Sequence, residues 1–193
     1  MAEAQKKFYS KEEALIEKDF LVSEMKSGKI FIYPTDTVYG LGANASLQQS
    51  AEKIKRIKKR QGKNFLVIAP SFDWILAHCE CSGEAKNILQ QRLPGPFSFR
   101  LKMKEKNIFS DADGAAGVRI PNHWFSDFVF QAGVPFITTS VNLAGQPPLL
   151  RIKDLDEEIF QQVDYVISDD TALSGKPSTL IDLTSEEEKI IRP

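Results

Sequence analysis

Residues 29–45 read KIFIYPTDTVYGLGANA, and residues 134–145 read VPFITTSVNLAG. In each, a short apolar run meets a cluster of small hydroxyls, asparagine and glycine. The runs, 29–33 and 134–139, have the length and the β-branched or aromatic content of buried strands. Pro34 has no backbone N–H to give to a ladder, so the chain leaves the sheet there and Thr35 to Ala45 reads as a loop. A second loop, holding Ser140, Asn142 and Gly145, leaves the other strand. Loops at strand ends carry function more often than the scaffold beneath them, so both are candidate site segments.

Outward from these strands, helices and strands alternate. Ser10-Lys11-Glu12-Glu13 is a capping box that predicts a helix ending at Gly28, with Leu15, Phe20, Leu21 and Met25 along one face. Ser46 and Gln49 form a second capping box, opening a helix to about Lys59. The segment 64–69 reads as a strand, with short helices near 71–78 and 82–91. Leu93-Pro-Gly-Pro96 breaks the chain before strands at 97–103 and 115–120, and a helix spans His123 to Ala132. After 134–139 come a helix over 153–162, a strand at 163–168, a turn at 175–177 and strands at 178–183 and 189–191. Such alternation predicts an α/β domain with a mixed sheet.

With 193 residues, 42% of them hydrophobic, the chain can bury one sizeable core, and neither repeat nor linker divides it. Residues 1–28 read as an N-terminal helix belonging to the same domain as 29–193. No window approaches the roughly 18 apolar residues of a membrane span, and Met1 to Lys11 lacks the apolar stretch of a secretory signal. A cytoplasmic protein without membrane association is expected.

The 25 Lys and Arg against 26 Asp and Glu exclude a globally basic nucleic-acid binder, so any basic site is local. Lys53 to Lys63 supplies one: seven cations without an acid. Lys53, Lys55, Arg56 and their neighbours read as a solvated helix face. Lys58 and Arg60 stand where the helix ends, placed to turn toward one cleft, where an ammonium beside a guanidinium suits a polyphosphate. On this reading both are surface cations, and alanine at either spares the fold. Cys79 and Cys81 give two ligands without a finger-spaced second pair, so no metal site is expected. Walker and dinucleotide-binding patterns are absent, and neither cysteine nor His78 or His123 sits in a nucleophile signature. Catalysis by covalent attack or by a histidine base is disfavoured.

In order along the chain, PTDTVYGLGANA (34–45), Lys58-x-Arg60, LPGPFSFRL (93–101), GVRIPNH (117–123), Ser140-x-Asn142 with Gly145, and KPSTLIDL (176–183) resemble the YrdC-like family. These are the threonylcarbamoyl-AMP synthases that act in t6A37 modification of tRNA. The resemblance runs from about Lys29 to Pro193, as in the single-domain members, without the extra C-terminal domain of longer ones. It implies a twisted, open mixed α/β sheet around a concave basic groove, in a fold also described as binding double-stranded RNA. Two departures stand out. Gln61 replaces the proline usual after Lys-x-Arg, and Gly62-Lys63-Asn64-Phe65 is more like a paralogous branch of less clear activity. That branch typically lacks the Ser-x-Asn present here.

For the synthase, the resemblance implies that L-threonine, bicarbonate and ATP give threonylcarbamoyl-AMP and pyrophosphate, with Mg²⁺ accompanying ATP. Lys58 and Arg60 are then the catalytic and nucleotide-binding cations. By the resemblance Ser140 and Asn142 contact the nucleotide or the carbamate, Arg151 the nucleotide, and Thr35, Arg119 and Ser178 sit near the amino acid, Arg119 pairing its carboxylate. The product would pass to downstream tRNA threonylcarbamoyl-transferase proteins. The alternative is a paralogue that binds RNA as a module or uses a nucleotide otherwise.

Overall fold

Ser10 opens the first helix as its capping box predicts: its hydroxyl accepts the Glu13 N–H, and the Glu13 carboxylate accepts the Ser10 N–H. The computed structural model describes residues 7–59, 65–143, 145–169, 173–185 and 187–193. The expected single helix is two, α1 (Lys11–Ile16) and α2 (Lys18–Ser27), broken at Glu17. Gly28 ends α2 at φ +90°, where a side chain is strained. The break rotates the buried face: Leu21, Val22 and Met25 are inside, whereas Leu15 and Phe20 are exposed.

Ten strands form one sheet: β1 (Phe8–Tyr9), β2 (Phe31–Tyr33), β3 (Gly40–Gly42), β4 (Leu66–Ile68), β5 (Phe97–Lys102), β6 (Ala115–Arg119), β7 (Phe136–Ser140), β8 (Tyr165–Ile167), β9 (Thr179–Asp182) and β10 (Lys189–Arg192). Their spatial order is β1-β8-β2-β3-β7-β4-β6-β5-β9-β10. Parallel pairs (β1/β8, β8/β2, β4/β6, β5/β9) alternate with antiparallel ones, so the sheet is mixed and open. Helices α3 (Gln48–Ile57), α4 (Phe72–His78), α5 (Gly83–Arg92), α6 (Ser126–Ala132) and α7 (Glu157–Gln162) connect the strands.

Both faces of the sheet are covered, which is why its strands read as continuous apolar runs rather than alternating ones. Ile30 and Ile32 join Leu41, Ile54, Val67 and Phe99 in one cluster. Their neighbours Phe31 and Tyr33 point the other way, into an aromatic cluster with Phe125, Phe128, Phe136 and Tyr165 beneath α2 and α6. Tyr33 stacks on Phe125 with ring centroids 4.3 Å apart.

Two sequence expectations change here. Thr35 to Ala45 is not all loop, because Gly40–Gly42 is β3, paired with β2 and β7. A Cβ on Gly42 would stand 2.1 Å from the Ile137 carbonyl oxygen, and one on Gly40 2.7 Å from the Tyr33 ring, so the glycines permit this close approach. The second capping box does not form. Leu47 precedes α3 without a side-chain cap, and Asn44 takes the Ser46 N–H at 2.9 Å.

Cys79 is buried, and burial pushes its thiol up to about 12, the behaviour of an inert core cysteine. Among the described residues no three His, Cys, Asp or Glu side chains converge to hold a metal. No described helix is long and apolar enough to cross a membrane.

Candidate active site

The end of β7, the start of β4 and the loop between β2 and β3 enclose a cavity of about 390 Å³. Pro177, Ser178, Leu180 and Arg192, from β9, β10 and the segment before them, close it opposite. The two loops singled out at sequence level therefore meet. Thr35, Arg119, Ser140, Asn142 and Ser178 all line this one cavity, and neither histidine nor cysteine stands among the described lining residues. One side is hydroxylic (Thr35, Thr37, Thr138, Ser140) and another apolar (Val38, Phe65, Leu66).

The hydroxyl side is pre-ordered. Thr35 Oγ1 donates to the Val38 carbonyl at 2.6 Å and lies 2.9 Å from Thr37 Oγ1. Arg119, the last residue of β6, is only 4% exposed. Its guanidinium donates to Asp36 Oδ1 at 2.5 Å and to Thr37 Oγ1 at 3.2 Å, while Asp36 Oδ2 accepts the Asn122 N–H at 3.0 Å. Arg119 Nε is buried with no partner among the described residues. Buried donors are normally paired, so this guanidinium keeps hydrogen-bonding capacity that the described residues do not use.

Arg192 supplies a second cation. Its guanidinium reaches into the cavity wall and donates to the Ser178 carbonyl at 2.8 Å, and Ser178 Oγ lies 2.7 Å from Ser98 Oγ. Burial, then the positive charge of Arg119, pulls the Arg192 guanidinium below its ordinary pKa. Two arginines thus line one cavity, and Asp36 is committed to one of them.

Lys58 is placed differently from the sequence expectation. It caps α3 and is 4% exposed, buried rather than a surface cation. Its ammonium donates to the Ser140 carbonyl at 2.7 Å, the Asn142 carbonyl at 2.6 Å and Asn142 Oδ1 at 2.6 Å. Ser140 Oγ donates to the same Oδ1 at 2.6 Å. The physical reason is local: α3 stops at Ile57, and the long stem reaches under the turn after β7, where three oxygens replace water around the charge. Arg60 lies outside the described residues. Arg151 pairs with Asp154 at 2.7 Å on the surface and is not part of the cavity wall.

A family model for Sua5/YciO/YrdC proteins, described as Telomere recombination, matches residues 23–193. The chain belongs to this family. It is 34% identical over 175 residues to a putative threonylcarbamoyl-AMP synthase of Methanocaldococcus jannaschii, covering 90% of this chain and 82% of the relative. Among solved structures, this Sua5/YciO/YrdC member is similar to P. abyssi Sua5 complexed with L-threonine (24% identity, TM-score 0.86), covering 97% of this chain but only 56% of that one. It is also similar to E. coli YciO (23% identity, TM-score 0.86), covering 97% of this chain and 95% of that one. These two likenesses show a shared single-domain α/β fold.

Sequence reasoning missed Asp36, Thr37 and Arg192. Asp36 had a legible signal, a lone carboxylate between two threonines in a strand-end loop. Arg192 had none, because only the β9–β10 hairpin brings it to Ser178. Among the helix cations, Lys53 reaches Asp164 at 3.6 Å while half exposed, and Lys55 is exposed. Exposed pairs are worth about 0–1 kcal/mol, so Lys53→Ala with Lys55→Ala is expected to lower stability by no more than about 1 kcal/mol in urea titration. Turnover should stay within about twofold of the parent.

Proposed function

We propose that this protein is an L-threonylcarbamoyl-AMP synthase, a nucleotidyltransferase that converts L-threonine, bicarbonate and ATP to threonylcarbamoyl-AMP and pyrophosphate. One observation carries the reading: a cavity lined by Arg119 and Arg192 among ordered hydroxyls, without a histidine or cysteine in its described wall. A site so built binds and aligns anions rather than attacking them. The name of the M. jannaschii relative and the threonine bound by P. abyssi Sua5 support the same reading.

The chemistry needs no protein nucleophile. The threonine amine adds to bicarbonate-derived carbon dioxide and loses a proton to give a carbamate. A carbamate oxygen then attacks the α-phosphorus of ATP, the α–β anhydride bond breaks, and pyrophosphate leaves. Two anions must be brought together in line, so positioning and charge cancellation supply the rate. Arg119 takes the threonine carboxylate, with Thr35 and Ser178 beside it. Ser140 and Asn142, held from beneath by Lys58, form the nucleotide side, where Arg192 adds charge; for Arg60 the nucleotide-binding role rests on the family resemblance alone. Mg²⁺ enters with ATP as part of the substrate, the triphosphate supplying ligands. The product is an activated mixed anhydride, consumed by a transferase acting on tRNA.

The pocket sets a selectivity test. Threonine differs from serine by a methyl and from valine by exchange of the hydroxyl for a methyl. A missing methyl costs about 1–3 kcal/mol, whereas valine strands the polar groups that meet the hydroxyl and is rejected by more. The expected kcat/KM order is threonine, then serine, with valine far below. Valine equal to serine would show that the hydroxyl is not read, and would favour the RNA-binding alternative. A steep fall of RNA affinity with salt would then identify phosphate-backbone binding.

A further inference from the structure

Asp36 touches nothing that reacts, yet it organises the group that meets the amino acid. Its side chain is 12% exposed and Arg119's is 5%. A cation this buried needs a partner, and Asp36 is the carboxylate that supplies it. The other oxygen of Asp36 is bound to the Asn122 N–H, which ties the β2–β3 loop to the turn after β6. Thr37 fixes the second terminal nitrogen of the guanidinium, and Thr37 is itself held by Thr35. Each terminal nitrogen thus has at least one partner, and Nε has none among the described residues.

We propose that Asp36 is a positioning residue, which locks the Arg119 guanidinium in the orientation that meets the carboxylate of the amino-acid substrate. The proposal rests on the synthase reading for the identity of that carboxylate, but the locking itself does not. It makes a prediction opposite to that of simple charge counting. Asp36→Asn removes a negative charge beside an anion site, which on Coulombic grounds alone tightens threonine binding. If Asp36 acts by orientation, the same change weakens binding, because the guanidinium loses its strongest anchor.

The test is isothermal titration of L-threonine, without ATP, into the parent protein, Asp36→Asn and Asp36→Glu. Asp36→Asn is expected to raise the threonine Kd by about tenfold or more and to leave the Kd of a non-hydrolysable ATP analogue within about twofold. Asp36→Glu, which keeps the charge on a longer stem, is expected to recover most of the loss. Unchanged or tighter threonine binding by Asp36→Asn would overturn the proposal. So would an equal loss of threonine and nucleotide affinity, the mark of a merely structural role. If Asp36→Asn does not fold, ¹⁵N NMR of the arginine Nε–H groups decides in the parent protein, with Arg119 assigned from Arg119→Lys. The Arg119 signal is expected to be ordered before threonine is added and to shift with it, and a signal unmoved at saturating threonine overturns the proposal. A parent protein that binds no threonine overturns the synthase reading instead. The locking is then judged from the Arg119 Nε–H signal alone, lost to exchange in Asp36→Asn if the proposal holds and unchanged if it fails.

Discussion

Arg119→Gln is expected to reduce threonine-dependent pyrophosphate release more than about a hundredfold while also lowering stability by about 3–5 kcal/mol. Both effects have one origin. Arg119 is buried against Asp36, so removing the guanidinium leaves a carboxylate with little water and no counter-charge. Breaking a buried pair from one side costs far more than the pair contributes. Activity is expected to fall because the Arg119 guanidinium is the group proposed to receive the substrate carboxylate. The double variant Arg119→Gln with Asp36→Asn separates the two effects. Urea titration is expected to recover most of the lost stability, since the pair becomes neutral, while turnover stays at the single-variant level. Recovery of turnover together with stability would mean that Arg119 serves the fold alone.

Lys58→Ala is expected to damage fold and activity together. The sequence placed this lysine on the surface, where its loss is harmless to stability. In the structure three oxygens of the turn after β7 surround its ammonium, and truncation takes this donor from the Ser140 and Asn142 carbonyls, while Asn142 Oδ1 keeps the Ser140 hydroxyl. A stranded buried acceptor costs about 1–3 kcal/mol, and partial entry of water puts the expected loss at about 2–3 kcal/mol in urea titration. Because Ser140 and Asn142 line the cavity, the KM for ATP should rise at least about tenfold, with the KM for threonine moving less. Lys58→Arg is not expected to rescue, since a planar fork does not converge on acceptors arranged around a point charge. A stable Lys58→Ala protein with unchanged KM for ATP would show that the turn holds itself.

What was legible in the sequence was what depends on local chemistry. The Ser10–Glu13 box and the strands preceding Pro34 and ending near Ser140 follow from short-range patterns, and family motifs lie on the loops that leave those strands. What was not legible depends on neighbours distant in sequence. Gly40 and Gly42 look like loop residues until Tyr33 and the Ile137 carbonyl press against them from adjacent strands. Ser46 and Gln49 have the letters of a capping box, but Asn44 captures the Ser46 N–H first, its own amide held by the Lys26 carbonyl at 2.9 Å. Lys58 was hidden in a run of cations whose other described members are exposed, half-exposed or, like Lys59, paired with Glu158 at the surface. Arg192 reaches the site only through the β9–β10 pairing.

The proposed reaction joins a threonine-derived carbamate to the α-phosphorus of ATP in this cavity. Its decisive measurement is pyrophosphate release from ATP, followed with threonine and bicarbonate each present or withheld. Release is expected only when both are present, lost in Arg119→Gln and with threonylcarbamoyl-AMP as co-product. Release that proceeds equally without threonine, or no release with all three substrates present, would contradict it.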